Sequence, residues 1–384
     1  MKHRILAYIL CVPLLFSCIY PYEWDGNSLP DDTIVVEGMI VIGGRSYLRI
    51  SRPAGFEPDA PNSYKAWLED DSGKQYNPSS QSSYDEHVFY FDTSNVPDGR
   101  SYRMHIFGGT KTYYSDWLTP LNPPQITGIQ FTPRAQDVVV SVSMLDYGEA
   151  SGYILLSYQE DWRFHSDYLP EYIYQDRQLK SLVQDLGVED ATTMFNYWCY
   201  HSYKAPFKIP VAMQKMDDFF ILDHHPVVNF PRSDSRNHQK YRIIVTVATI
   251  SEHSYRYLKN LDDNGSASGN LFTPNPGEIP SNVSCPSHPE SLALGYVHCV
   301  KQTSRSAYMD DSFYKPAPSI TGLKTISSPE YQEYYENGYR PISDMTLPAG
   351  SGGSYVDGVA WGPERCINCV LAGGSLEKPD KWED

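Results

Sequence analysis

The sequence predicts a mainly β protein. An N-terminal β-sandwich of the immunoglobulin or transthyretin-like kind precedes a second β-sandwich-like domain with a helical insertion. Three observations lead there. The chain holds 31 Tyr, a strand-favouring residue. It holds 29 Pro and 26 Gly, which punctuate turns. Short alternating apolar runs recur between those turn signals, as in sandwiches. At 384 residues the chain exceeds the usual single-domain size, so two or more modules are expected.

Residues 1–17 read as a signal peptide: Lys2, His3 and Arg4 form a positive start, and Ile5 to Phe16 an apolar run. The run is too short to span a bilayer, which takes roughly 20 apolar residues. Leu15-Phe16-Ser17-Cys18 resembles the lipobox of bacterial lipoproteins, with Phe16 bulkier than usual. That resemblance implies that Cys18 is lipidated, becomes the mature N-terminus and anchors the protein. Residues 18–32, with Pro21, Gly26 and Pro30, read as a tether; Glu23 and Asp25 make it mildly acidic.

The first sandwich is expected over residues 33–120. Thr33 to Gly38 and Tyr47 to Ile50 flank Gly43-Gly44 as a hairpin. Tyr64 to Leu68, Val88 to Phe91 and Tyr102 to Ile106 follow, separated by Asp71-Ser72-Gly73 and Pro97-Asp98-Gly99. Leu121 to Pro124 reads as a stiff connection into the second domain, residues 121–384. There Ile126 to Phe131, Val138 to Met144, Tyr153 to Tyr158 and Tyr241 to Thr249 read as strands. Leu179, Leu182, Val183 and Leu186 recur at helical spacing before Gly187, which predicts a helical insertion over about residues 166–197. Ser251 is a candidate N-cap for a helix carrying Tyr255, Leu258 and Leu261. Ser328-Pro329-Glu330 opens a tyrosine-rich helix that ends before Gly338.

The formal charge is −16, so electrostatics give no attraction for nucleic acid, and the lipid has to supply the membrane contact. No motif calls for a metal or cofactor. His224 and His225 are adjacent, so on a strand they face opposite ways. Asn260 to Gly265 looks like a calcium loop, but its twelfth position is Leu271 and not Glu. Gly265 to Gly269 has Ala267 where a nucleophile would stand. The remaining candidates for recognition are aromatic: Tyr168, Tyr172 and Tyr174 in the insertion, then Tyr200 and Tyr203. Such rings stack on sugars or form protein interfaces.

Beyond Cys18, the cysteines are Cys199, Cys285, Cys299, Cys366 and Cys369. An extracytoplasmic chain permits disulfides. Cys285 and Cys299 are close enough in sequence to predict a bond. Cys366 and Cys369 are expected to bond to each other, or one of them to Cys199, docking a tail in which Trp382 is buried.

Four segments together resemble a known family. They are Ile34 to Gly38; Tyr241 to Leu261; Gly269-Asn270-Leu271-Phe272 running through Ile279 to Asn282 and on to Leu294-Gly295-Tyr296; and Cys366 to Cys369 with Gly373-Gly374 and Lys378 to Trp382. The family is the uncharacterised Bacteroidota outer-membrane lipoproteins known by a domain of unknown function, numbered four-two-four-nine, and often encoded beside TonB-dependent receptors. Ser281 departs from the Gly common before Asn282. The resemblance implies an outer-membrane, cell-surface lipoprotein that assists a TonB-dependent receptor in nutrient capture, without catalysis. A structural or adhesive surface lipoprotein is the alternative, and a surface hydrolase the second.

Overall fold

A computed structural model describes residues 29–383 apart from 54, 58, 61–62, 84–86, 149–151, 206–207, 268–280, 310–321 and 350–353. Cys18, the signal peptide, most of the tether and the Gly269 to Ile279 part of the family signature lie outside the described residues.

The chain opens with β1 (Ile34–Ile42) and β2 (Arg45–Ser51), hairpinned through Gly43-Gly44. β3 (Tyr64–Asp70), β4 (Gln75–Tyr76), β5 (Ser80–Ser83), β6 (His87–Asp92), β7 (Tyr102–Gly108) and β8 (Lys111–Ser115) follow. After Leu121–Pro124 come β9 (Gln125–Pro133), β10 (Asp137–Asp146) and β11 (Tyr153–His165). A small hairpin, β12 (Tyr172–Gln175) with β13 (Gln178–Ser181), precedes β14 (Trp198–Lys204) and β15 (Ile209–Ala212). Then come β16 (Gln214–Lys215), β17 (Phe220–Pro231), β18 (Lys240–Ile250) and helix α1 (Glu252–Ala267). The last elements are β19 (Val283–Ser284), β20 (Ala293–Met309), β21 (Lys324–Thr325), helix α2 (Tyr331–Glu336), β22 (Tyr339–Ala349) and β23 (Ser354–Pro363).

A nine-stranded sheet runs through the molecule in the order β14-β11-β18-β20-β1-β2-β6-β5, with β15 also on β11. Its centre is β20, 17 residues long, which pairs antiparallel with β18 at one end and parallel with β1 at the other. Strand alternation then fixes the layers. The β20 positions that pair with Ile34, Val36 and Gly38 are odd-numbered, as are those that pair with Ile243, Val245 and Val247. Both apolar sets therefore lie on one face. The five-stranded sheet β19-β8-β7-β3-β4 covers one half of that face, packing Leu68, Tyr102 and Met104 against Val36, Leu48 and Phe89. The sheet β16-β17-β10-β9 covers the other half, packing Val138, Val140 and Phe230 against Leu156, Tyr241 and Ile243. Two sandwiches thus share one sheet, and β1 of the first is sealed by a strand whose paired residues lie 259 positions downstream, Ala293 against Ile34 (293 − 34), roughly the reach of a whole domain.

Gly295 shows why the shared strand carries glycine. Its φ is +100°, and a Cβ there would lie 2.0 Å from the Val36 carbonyl oxygen.

The predicted helical insertion is a correction. Residues 166–197 hold the β12–β13 hairpin and turns. Asp176 and Arg177 turn it with φ of 56° and 60°, the primed geometry that suits strand twist. Of the helically spaced residues only Leu182 is buried; Val183 and Leu186 are exposed, so no apolar stripe is there to pack a helix. Gly187 does take a left-handed φ of +67°, closing a turn onto the Val183 carbonyl at 3.1 Å. At α1, Ser251 caps as expected, its hydroxyl accepting from the Ser254 N–H at 3.1 Å. The later tyrosine-rich turn is capped by Ser327, one residue before the expected Ser328, with Glu330 completing a capping box.

Cys285 and Cys299 are not bonded, contrary to expectation; both are free thiols. Cys285 follows β19 in the five-stranded sheet, whereas Cys299 sits within β20 of the opposing sheet. Each packs as an apolar core side chain. Cys366 and Cys369 do not bond to each other. Cys369 bonds Cys199, the other expected pairing, and Cys366 is a buried free thiol.

Candidate functional site

The five candidate tyrosines separate. Tyr168 and Tyr200 are buried, at 8% and 7% exposure, which corrects their assignment to a ligand or partner surface. Tyr168 lies in a small core with Ile342, Cys366 and Ile367. Tyr200 pairs with the tail: its N–H donates to the Ser375 carbonyl at 2.7 Å, and its ring meets Trp382 edge-on at 5.5 Å. Tyr203 is exposed further along β14, its ring 6.4 Å from that of Tyr158.

Tyr172 and Tyr174 come together with α2, which the linear sequence keeps far away. The β12–β13 hairpin lays Tyr174 among Tyr335 at 5.3 Å, Trp361 at 5.8 Å and Tyr331 at 6.1 Å. Its hydroxyl donates to Gln332 Oε1 at 3.2 Å. The Tyr172 hydroxyl donates to Asp344 Oδ2 at 2.9 Å, and that bond to a carboxylate raises its pKa. Arg340 lies 4.2 Å over the Tyr335 ring and pairs with Glu364 at 2.7 Å. Met194, Phe195 and Ile367 complete a notch of about 250 Å³. That is smaller than the roughly 300–1,000 Å³ of drug-sized sites, so the notch suits one ring or one side chain of a larger partner.

The lobe that carries the notch is pinned by the tail. Cys199–Cys369 closes a separation of 170 residues. Gly374 packs so tightly that a Cβ would lie 2.5 Å from the Cys199 Cβ. Arg242, nearly fully buried, pairs with Asp161 at 2.7 Å. The same guanidinium donates to the carbonyls of Lys381 and Asp380, at 2.6 and 2.8 Å. Trp382, expected to be buried, is half-buried against Tyr200, Tyr308 and Arg242.

Sequence reasoning missed a second site, on the other face of the nine-stranded sheet. Helix α1 covers part of that face, and two joined chambers of about 480 and 400 Å³ lie beside it, sharing Tyr47 and Lys208. Arg45, Lys204 and Lys208 line the first. Burial and neighbouring Lys204 push the Lys208 ammonium down to about 8. In the second chamber burial pushes His298 down to about 4; its Nδ1 lies 3.0 Å from the Ser254 hydroxyl. Strand pairing between β1 and β20, distant in sequence, assembles this face, so no local motif announces it.

Among the described residues, no group of three His, Cys, Asp or Glu is placed to hold a metal. His224 and His225 lie within β17: His224 is exposed with φ 47° and pairs with Asp223 at 2.7 Å, where the register with β10 is irregular. Asn260 to Gly265 is helical, as part of α1.

Residues 19–306 match the family described as "Domain of unknown function (DUF4249)". The chain belongs to that family. The DUF4249 match takes in both sandwiches and the two chambers, and ends inside β20. The α2 wall of the notch, Cys369 and the docked tail lie beyond it. No curated protein matches the chain.

Proposed function

We propose that this DUF4249 protein is a lipid-anchored, non-catalytic binding protein of the outer membrane that works with a TonB-dependent receptor in nutrient capture. The observation that supports the reading best is the aromatic notch of Tyr172, Tyr174 and Tyr335, open to solvent on a cross-linked lobe. Exposed Val183, Leu186, Met194, Val370 and Leu371 lie on the same lobe, an apolar content that suits a protein partner. The lipobox-like stretch at Cys18 would confine the body near the membrane, which raises its effective concentration beside a receptor and lets modest affinity suffice.

Purification of the tagged full chain from native membranes tests this. A TonB-dependent β-barrel should accompany it, and Met194→Glu with Tyr335→Ala should reduce that recovery. Recovery without any barrel would favour the structural or adhesive role.

A further inference from the structure

We propose that the first chamber on the open face of the nine-stranded sheet binds an oxyanion-bearing, ring-shaped small molecule of about disaccharide size. The proposal goes beyond the reading above and rests on a different face of the molecule.

The argument starts from charge. Acids outnumber Lys and Arg by 47 to 31 in this chain. Yet the first chamber, about 480 Å³, is lined by Arg45, Lys204 and Lys208, with no carboxylate among its described lining residues. Elsewhere, several partly buried cations are matched by carboxylates. Arg242 pairs with Asp161, Arg236 with Glu160 and Asp234, Lys111 with Asp32, Lys301 with Asp98 and Arg340 with Glu364. In the chamber, the Arg45 guanidinium lies over the Tyr90 ring, 4.3 Å from its centroid. The Lys208 ammonium meets the Met39 thioether, a weak acceptor. Neither makes an ion pair with a described carboxylate. Glu37, which lines the second chamber with Lys208, is occupied by the Tyr47 hydroxyl at 3.0 Å and by Arg49 at 3.6 Å.

Burial disfavours an unmatched cation, and the lowered Lys208 pKa records that cost. A bound carboxylate or sulfate would supply the missing countercharge, in a site partly screened from water where such pairs are strongest. Ser157, Thr246 and Gln302 offer polar groups on the strand floor. Tyr47 and Tyr90 also line it, and aromatic rings pack on the C–H face of a sugar or on a flat ring. The volume falls within the range of small-molecule sites.

Calorimetric titration of the full mature chain in detergent tests this. The probes are a galacturonic acid disaccharide, a sulfated disaccharide and neutral cellobiose. Both acidic probes should bind at least about ten-fold more tightly than cellobiose, and added salt should weaken them. Their relative strength distinguishes carboxylate from sulfate recognition. Lys204→Ala, at an exposed position that tolerates truncation, should weaken the acidic probes about ten-fold, and Lys208→Met by as much or more. Melting temperatures of both variants are measured alongside, and Lys204→Ala decides the matter if Lys208→Met does not fold. Equal binding of neutral and acidic probes, no binding of either acidic probe at millimolar concentration, or unchanged affinity in Lys204→Ala would overturn the proposal.

Discussion

The N-terminal sandwich and the C-terminal lobe are stabilised in different ways. The sandwich buries a continuous cluster from Ile34 to Val297, and its two cysteines stay reduced within it. The lobe around Tyr168, Ile342, Cys366 and Ile367 has only a small core, and it is fastened to the second sandwich by a disulfide and by the hydrogen bonds that ion-paired Arg242 donates to the tail carbonyls. Small hydrophobic cores leave little margin over chain entropy, and cross-links supply it. Both pins are rooted in the second sandwich, Cys199 and Cys369 within its core cluster, and hold the weakly cored lobe from there.

The contrast is broken most directly at the disulfide. Cys199–Cys369 closes 170 residues, and a loop of that length is worth up to about 5 kcal/mol in the chain-entropy view. Cys199→Ala with Cys369→Ala should lower the melting temperature substantially. Hydrogen exchange should rise in β12–β13, β22–β23 and the tail, while β1–β8 stay protected. Uniform loss of protection would show that the two regions are one cooperative unit.

Arg242 tests the ionic pin. Its side chain is 3% exposed and that of Asp161 is fully buried, so removing one partner leaves a buried charge uncompensated. Arg242→Met should cost about 3–5 kcal/mol and release residues 370–383 to proteolysis. Adding Asp161→Leu should recover part of the stability without redocking the tail, because the Asp380 and Lys381 carbonyls still lack their donor. Full protease resistance in Arg242→Met would show that the disulfide holds the tail alone.

A smaller effect distinguishes the sheet's open face from its sandwiched face. His298 is buried neutral, its pKa depressed to about 4 from an ordinary 6.5. The unfolded chain therefore binds more protons between those values, and stability is lost as pH falls from about 6.5 toward 4. One site of this kind is worth up to about 3 kcal/mol. His298→Gln should flatten part of the acid limb of a denaturation curve taken at several pH values. An unchanged limb would assign it to other groups, half-buried His238 first, which is also lowered to about 4.

The sequence exposed the local elements of this fold and concealed its long-range closures. Alternation at Thr33 to Gly38, Val138 to Met144 and Tyr241 to Thr249 is visible because each strand has one face in a core. Ser251 and Gly187 were legible because capping and turn chemistry is local. The β12–β13 hairpin was misread because Leu179, Leu182, Val183 and Leu186 satisfy a helical period without an apolar surface to meet them. Of the notch, Tyr172 and Tyr174 were legible as aromatics, but Tyr335 and Arg340 reach them only through tertiary pairing. The chamber of Arg45, Lys204 and Lys208 draws on β2 and the β14–β15 connection, brought together through β11, β18, β20 and β1.

The smallest expected effect sharpens the cysteine contrast. Cys285 and Cys299 lie on opposing sheets of the first sandwich, and burial pushes the Cys299 thiol well above the usual range. Both pack against the apolar core as small side chains, shielded from exchange partners. Alkylation of the unfolded, unreduced chain should label Cys285, Cys299 and Cys366, and leave Cys199 and Cys369 unlabelled. Cys285→Ala should cost only about 1 kcal/mol, the scale of one lost sulfur contact set in a core. Mild reductant should leave protection of β1–β8 unchanged while it loosens the C-terminal lobe. A Cys285–Cys299 cross-link in the peptide map would reverse the assignment, because the first sandwich would then also rely on a covalent pin, and the division between packed and pinned regions would disappear.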